Sequence, residues 1–86
     1  MPNYHVKLSR TAEKELARLP LQIQERVINA IDLLSENPRR IGSKKLHGSL
    51  QAYRFRIGDY RIIYEINDKA KVVDIAYIRH RREAYD

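Results

Sequence analysis

The chain has 86 residues, no cysteine, and 17 Lys and Arg against 11 Asp and Glu, for a net charge of +6. That length holds one small core, so a single domain over residues 1–86 is expected, and the missing cysteines exclude disulfides, thiolate metal sites and a cysteine nucleophile. No apolar run approaches the roughly 18 residues of a membrane span, and "MPNYHVKLSR" carries no export signal, so a cytoplasmic protein with no membrane partner is expected.

Tyr4 to Leu8 alternates apolar and polar residues and predicts a strand with Tyr4, Val6 and Leu8 on one face. Ser9 offers an N-cap, and Ala12, Leu16 and Leu19 then recur at helical spacing until Pro20. Beyond the proline, Ile23, Val27, Ala30, Ile31 and Leu34 mark a second, longer helix that stops at Asn37-Pro38. Residues 39–50 read as a basic loop with at most a short strand. Ala52 to Ile57, Tyr60 to Ile66 and Val72 to Ile78 are rich in β-branched and aromatic residues and are separated by Gly58-Asp59 and by residues 67–70. The expected architecture is α+β: an N-terminal strand, an antiparallel two-helix hairpin, then an antiparallel β-meander against which the helices pack.

The positive charge is concentrated. Between residues 39 and 61 stand Arg39, Arg40, Lys44, Lys45, Arg54, Arg56 and Arg61 against the single acid Asp59, which accounts for the whole excess and points to a polyanionic partner. A two-residue loop at Gly58-Asp59 places Ile57 opposite Tyr60, Arg56 opposite Arg61 and Arg54 opposite Ile63. Phe55, Ile57, Tyr60, Ile62, Tyr64 and Ile66 then face the helices, while Arg54, Arg56 and Arg61 gather on the other side. Continuing the alternation puts Val73, Ile75 and Tyr77 on the core side and Asp74, Ala76, Ile78 and His80 on the arginine side. Like charges directly across a strand pair cost several tenths of a kcal/mol, which a bound phosphate relieves, and the guanidinium fork matches phosphate oxygens.

The tail "IRHRREAYD" follows directly from this face and brings Arg79, His80, Arg81, Arg82, Glu83 and Tyr85 within reach of it. No phosphate-binding Gly-rich loop, zinc helix or two-metal carboxylate set is present. A reaction needing neither metal nor cofactor is therefore expected. RNA supplies its own nucleophile, the 2′-OH beside the scissile phosphate, and a protein need only align it, stabilise the added negative charge and move protons. Arginines suit the second task, whereas Tyr85 and His80, backed by Glu83, suit the third.

"KLHGSLQAYRFRIGDYRIIYEI" followed by "IAYIRHRREAYD" resembles the RelE branch of the RelE/ParE toxins of toxin–antitoxin modules, over nearly the full length. The specific parts are the K-L-x-G turn, the Y-R-x-R-x-G-x-Y-R-x-I-Y hairpin and the terminal H-R-R-x-x-Y. The resemblance implies a fold similar to small microbial ribonucleases and cleavage of messenger RNA in the ribosomal A site, leaving a 2′,3′-cyclic phosphate. The partners it implies are the ribosome with its mRNA and a cognate antitoxin. By position it implies catalytic roles for Arg54, Arg56, Arg61 and Tyr85, with the post-strand arginine at Arg81, or at Arg82 or Arg79 because the chain is shorter there; several relatives carry a histidine near His80. Lys44, Lys45, Arg79 and Arg82 are expected to hold RNA. A gyrase poison of the ParE type and a non-catalytic antitoxin- or RNA-binding module are the alternatives.

Overall fold

Seven elements follow one another: β1 (His5–Leu8), α1 (Arg10–Arg18), α2 (Leu21–Glu36), β2 (Ser43–Lys45), β3 (Ala52–Ile57), β4 (Tyr60–Asn67) and β5 (Val72–His80). They belong to a computed structural model that describes residues 3–46, 48 and 51–80. The strands form one sheet in the order β1-β5-β4-β3-β2. Every neighbouring pair is antiparallel except β1 and β5, which run parallel. The α+β architecture matches the sequence expectation, but the parallel seat of β1 beside the last strand is set by pairing across some 67 residues, to which local patterning is blind.

Ser9 begins α1 as its residue type predicts: its Oγ accepts the Ala12 N–H at 2.9 Å. Pro20 stands at the N-cap of α2 without a side-chain cap, and the junction is secured from the other direction. Gln24 Nε2 donates to the Leu16 and Ala17 carbonyls at 3.0 and 3.3 Å in the last turn of α1, the Leu16 oxygen also accepting the Leu19 N–H at 3.2 Å. Both helices lie on one face of the sheet, where Ala12, Val27, Ala30 and Leu34 meet Ile57, Ile62, Tyr64, Ile66, Val73, Ile75 and Ile78 in one buried cluster. Each large aliphatic side chain buried there contributes roughly 1.5–3 kcal/mol.

The β3–β4 hairpin has the predicted register, Arg56 opposite Arg61 and Ile57 opposite Tyr60. Gly58, at φ 55°, occupies the first central position of the turn, where a left-handed backbone favours glycine. Gly42 is equally constrained: φ is 103°, and a Cβ there would lie 2.9 Å from the Phe55 ring. The basic segment can pack on β3 only because that side chain is missing.

Between β4 and β5 the pairing shifts by one residue. Tyr64 opposes Ile75 whereas Ile63 opposes Tyr77, so Ala76 is the extra residue of a β-bulge. Ser9 holds the bulge, its N–H donating to the Ile75 carbonyl at 2.9 Å and its hydroxyl to the Ala76 carbonyl at 2.8 Å. One serine thus caps α1 and anchors the irregularity in β5. Beyond the bulge the alternation is reversed, which corrects the expected faces: Ile78, 2% exposed, belongs to the core, and Tyr77, 40% exposed, faces away from the helices.

Candidate nucleic-acid interface

Strand register arranges the helix-free face of the sheet in rows. Arg56, Arg61 and Arg79 stand side by side across β3, β4 and β5. The next row runs Lys44, Arg54, Ile63, Tyr77 across β2 to β5. A third holds Glu65 and Asp74 with Lys7. Directly opposed Cβ atoms sit about 4.5–5.5 Å apart, and rows on one face are separated by about 6.6 Å. The face is therefore strongly cationic at one end and carries its carboxylates at the other.

Within the first row the arginines differ in setting. Arg61 is 4% exposed, the single charged residue among the buried side chains of the described residues. Arg56 is exposed, with Nε donating to the Gly58 carbonyl at 3.0 Å, and Arg54 is half-buried. Arg54 and Arg56 are thus more open to solvent than Arg61. Arg79 turns across the edge of β5, where β1 has ended: its Nε bonds Glu15 Oε2 of α1 at 2.8 Å while the same carboxylate accepts the Ile78 N–H at 2.8 Å. Its guanidinium lies 4.0 Å from the centroid of the Tyr77 ring.

Arg54, Arg56 and Arg61 share a face as the sequence predicts, and Lys44 and Arg79 join them. Two candidate residues stand off that face. Lys45 opposes Tyr53 and so belongs to the other side of the sheet, since neighbours in a strand alternate. His80, past the bulge, is also on the helix side, its ring edge-on to Tyr60 at 5.3 Å in a hollow lined by Glu15, Arg18, Leu19 and Ile78. It stands across the thickness of the sheet from the Arg56–Arg61 pair. Arg81, Arg82, Glu83 and Tyr85 lie outside the described residues. Tyr77 and Glu15 were missed by sequence reading: Tyr77 reads as a core residue until the bulge is known, and no motif marks Glu15.

Arg39, counted with the basic cluster, is engaged elsewhere. It grips Asp68 with Nη1–Oδ1 at 2.9 Å and Nη2–Oδ2 at 2.7 Å, and its Nε donates to the Tyr53 hydroxyl at 3.1 Å. Tyr4 adds a 2.6 Å hydrogen bond to the same carboxylate. Hydrogen bonds from Arg39, then Tyr4, hold the Asp68 carboxyl well below the usual carboxylate range. The network ties the N-terminal segment, the α2–β2 loop and the β4–β5 turn together. Below it the Tyr64 hydroxyl donates to the Pro38 carbonyl at 2.6 Å, and burial pushes the phenol up to about 12.

A separate groove of about 560 Å³ is lined by Leu8, Glu13, Leu16, Ala17, Gln24 and Ile28, on the side of the molecule away from the arginine rows. Its lining is mostly apolar and includes no cationic side chain to meet a phosphate. No helix among the described residues is long and apolar enough to cross a membrane.

Residues 6–85 match the family model described as "ParE toxin of type II toxin-antitoxin system, parDE". Toxin RelE of Mycobacterium tuberculosis is 37% identical over 84 residues, spanning 95% of this chain and 86% of that protein. Among solved structures, the M. tuberculosis toxin–antitoxin complex RelBE2 aligns with a TM-score of 0.82 at 32% identity, covering 94% of this chain and 100% of that one. The archaeal RelE–RelB complex of Pyrococcus horikoshii aligns at 0.80 and 34% identity, covering 92% and 96%. With a family match over nearly the whole sequence, and RelE toxins sharing both its residues and its fold, the chain belongs to the RelE branch of the RelE/ParE superfamily, the toxins of type II toxin–antitoxin systems.

Proposed function

We propose that this toxin is a ribosome-dependent endoribonuclease that cuts mRNA in the A site without a catalytic metal ion. The observation that carries the reading is the opposed pair Arg56 and Arg61 flanked by Lys44 and Arg54, a cationic strip on one face of a sheet with Glu65 and Asp74 beyond it and with Arg79 at its edge held by Glu15. Fixed guanidinium donors are suited to a phosphodiester whose charge rises during reaction, and a water-poor setting such as that of Arg61 strengthens the effect. In the reaction the 2′-oxygen bonds to phosphorus as its proton passes to a base, the phosphorus–5′-oxygen bond breaks, and the departing oxygen takes a proton from an acid. The products are a 2′,3′-cyclic phosphate and a 5′-hydroxyl. Tyr85, matched by position to the family's catalytic tyrosine, is the side chain assigned to proton transfer, with Arg81 or Arg82 as a further charge-stabilising group. His80, placed on the other face, is not given that role.

The antitoxin named with RelE relatives in RelBE2 and in the archaeal complex supports a cognate antitoxin as this chain's partner. Acidic and apolar residues on that partner would complement the cationic strip.

The test is to map RNA ends on translating ribosomes after adding the purified toxin. Cuts within the A-site codon bearing a 2′,3′-cyclic phosphate are expected. Ends bearing a 3′-hydroxyl and a 5′-phosphate would overturn the metal-free scheme. Double-strand DNA breaks without RNA cuts would assign the chain to gyrase poisoning, and intact RNA and DNA would leave a binding module.

A further inference from the structure

We propose that Tyr77 is a stacking platform for one nucleobase of the RNA, placed one row from the arginines that hold its phosphate. The proposal rests on the RNA-cleavage reading above and adds to it the residue that grips a base.

Three observations converge on Tyr77. The bulge at Ala76, anchored by Ser9, turns the ring out of the core and onto the cationic face, leaving it 40% exposed. Arg79 then lies against it at 4.0 Å, and Arg79 is itself held by Glu15 at 2.8 Å. A ring backed by an anchored guanidinium is already oriented before a ligand arrives, which lowers the ordering cost of binding. Third, register places Tyr77 beside Ile63 in the row next to Arg61 and Arg79. At a row spacing of about 6.6 Å, a nucleotide whose phosphate meets the arginine row has its base over Ile63 and Tyr77. Aromatic faces beside cationic strips are how proteins hold single-stranded RNA, and stacking accepts any base because every base has a π-face. The ligand is therefore one unpaired base adjoining the cleaved linkage, held with little regard to its identity.

Single-turnover cleavage is measured on ribosomes programmed with an mRNA whose vacant A-site codon carries either the natural base or an abasic ribose, placed in turn on each side of the scissile phosphate. The unaltered toxin is compared with Tyr77→Ala, Tyr77→Leu and Tyr77→Phe. On the natural mRNA, Tyr77→Ala is expected to lower kcat/KM by about tenfold to a hundredfold and Tyr77→Phe by less than about threefold. At one of the two abasic positions the unaltered toxin loses a similar factor and Tyr77→Ala loses nothing further, because the interaction is already gone. Tyr77→Leu keeps apolar bulk without a π-face and serves the same comparison if the alanine variant folds poorly. Equal activity of Tyr77→Ala, or losses that multiply with the abasic change at both positions, would overturn the stacking assignment while leaving RNA cleavage standing. No cleavage by the unaltered toxin would remove the RNA reading, and this proposal with it.

Discussion

Tyr64→Phe probes the contact that fixes the start of the basic loop. The Tyr64 side chain is fully buried, and its hydroxyl donates to the Pro38 carbonyl at 2.6 Å, immediately before Arg39 and the segment leading to Lys44. Removing the hydroxyl strands a buried carbonyl, which costs about 1–3 kcal/mol near neutral pH. The pH dependence separates this contact from general packing. Burial favours the neutral phenol, so the folded chain keeps its proton to about 12 while the unfolded chain loses it near the ordinary tyrosine value of 10.0. In that interval the unfolded state binds fewer protons than the native state, and stability must fall as pH rises. At roughly 1.4 kcal/mol per pH unit, the unmodified chain forfeits about 3 kcal/mol across the interval, a loss the phenylalanine variant does not share. Every other side chain is common to the two proteins, so the difference between them isolates Tyr64. Urea unfolding at steps from pH 8 to 11.5 should show the advantage of the unmodified chain shrinking steadily above pH 10. An advantage that stays constant over that range would mean the phenol is solvated or reaches water on ionising, and the burial argument would fail.

Arg61→Ala should lower A-site cleavage about a hundredfold, the effect of losing one preorganised charge-stabilising donor; wild-type rates in that variant would move the centre away from the arginine row. A 2′-deoxy substitution at the nucleotide preceding the cut should abolish cleavage by the unaltered toxin, and persistent cutting would rule out attack by the neighbouring hydroxyl. Glu15→Ala removes the acceptor of the Ile78 N–H and the anchor of Arg79, so amide exchange at Ile78 should accelerate and stability fall by about 1–3 kcal/mol; unchanged protection at Ile78 would refute the anchoring role. Because Arg39 depresses the Asp68 carboxyl, its contribution is present above the ordinary carboxylate pKa and is lost as acid drives the pH down through the lowered value. Thermal melts should therefore show Asp68→Asn losing less stability than the unmodified chain below pH 4, while parallel acid profiles would show the Arg39 pair contributing nothing.

Much of the candidate site was legible because it depends on short-range rules. Gly58-Asp59 closes a two-residue turn, the turn sets the hairpin register, and the period of two places Arg54, Arg56 and Arg61 on one side. Ser9 and Pro20 mark helix boundaries through local hydrogen bonding and fixed φ in the same way. What alternation could not reveal is an interruption of itself. The Ala76 bulge is held by Ser9, 67 residues away in sequence, and it exchanges the faces of the rest of β5, carrying Tyr77 and Arg79 to the cationic side and Ile78 and His80 to the helix side. The charge count misled for a related reason, since nothing near Arg39 in the chain announces Asp68, and that guanidinium is spent on the clamp. Local sequence thus determined the elements, the arginine hairpin and the family. The tertiary structure decided which side chains stand beside that hairpin, because a bulge, a parallel edge strand and a long-range ion pair exist only when distant segments of the backbone meet.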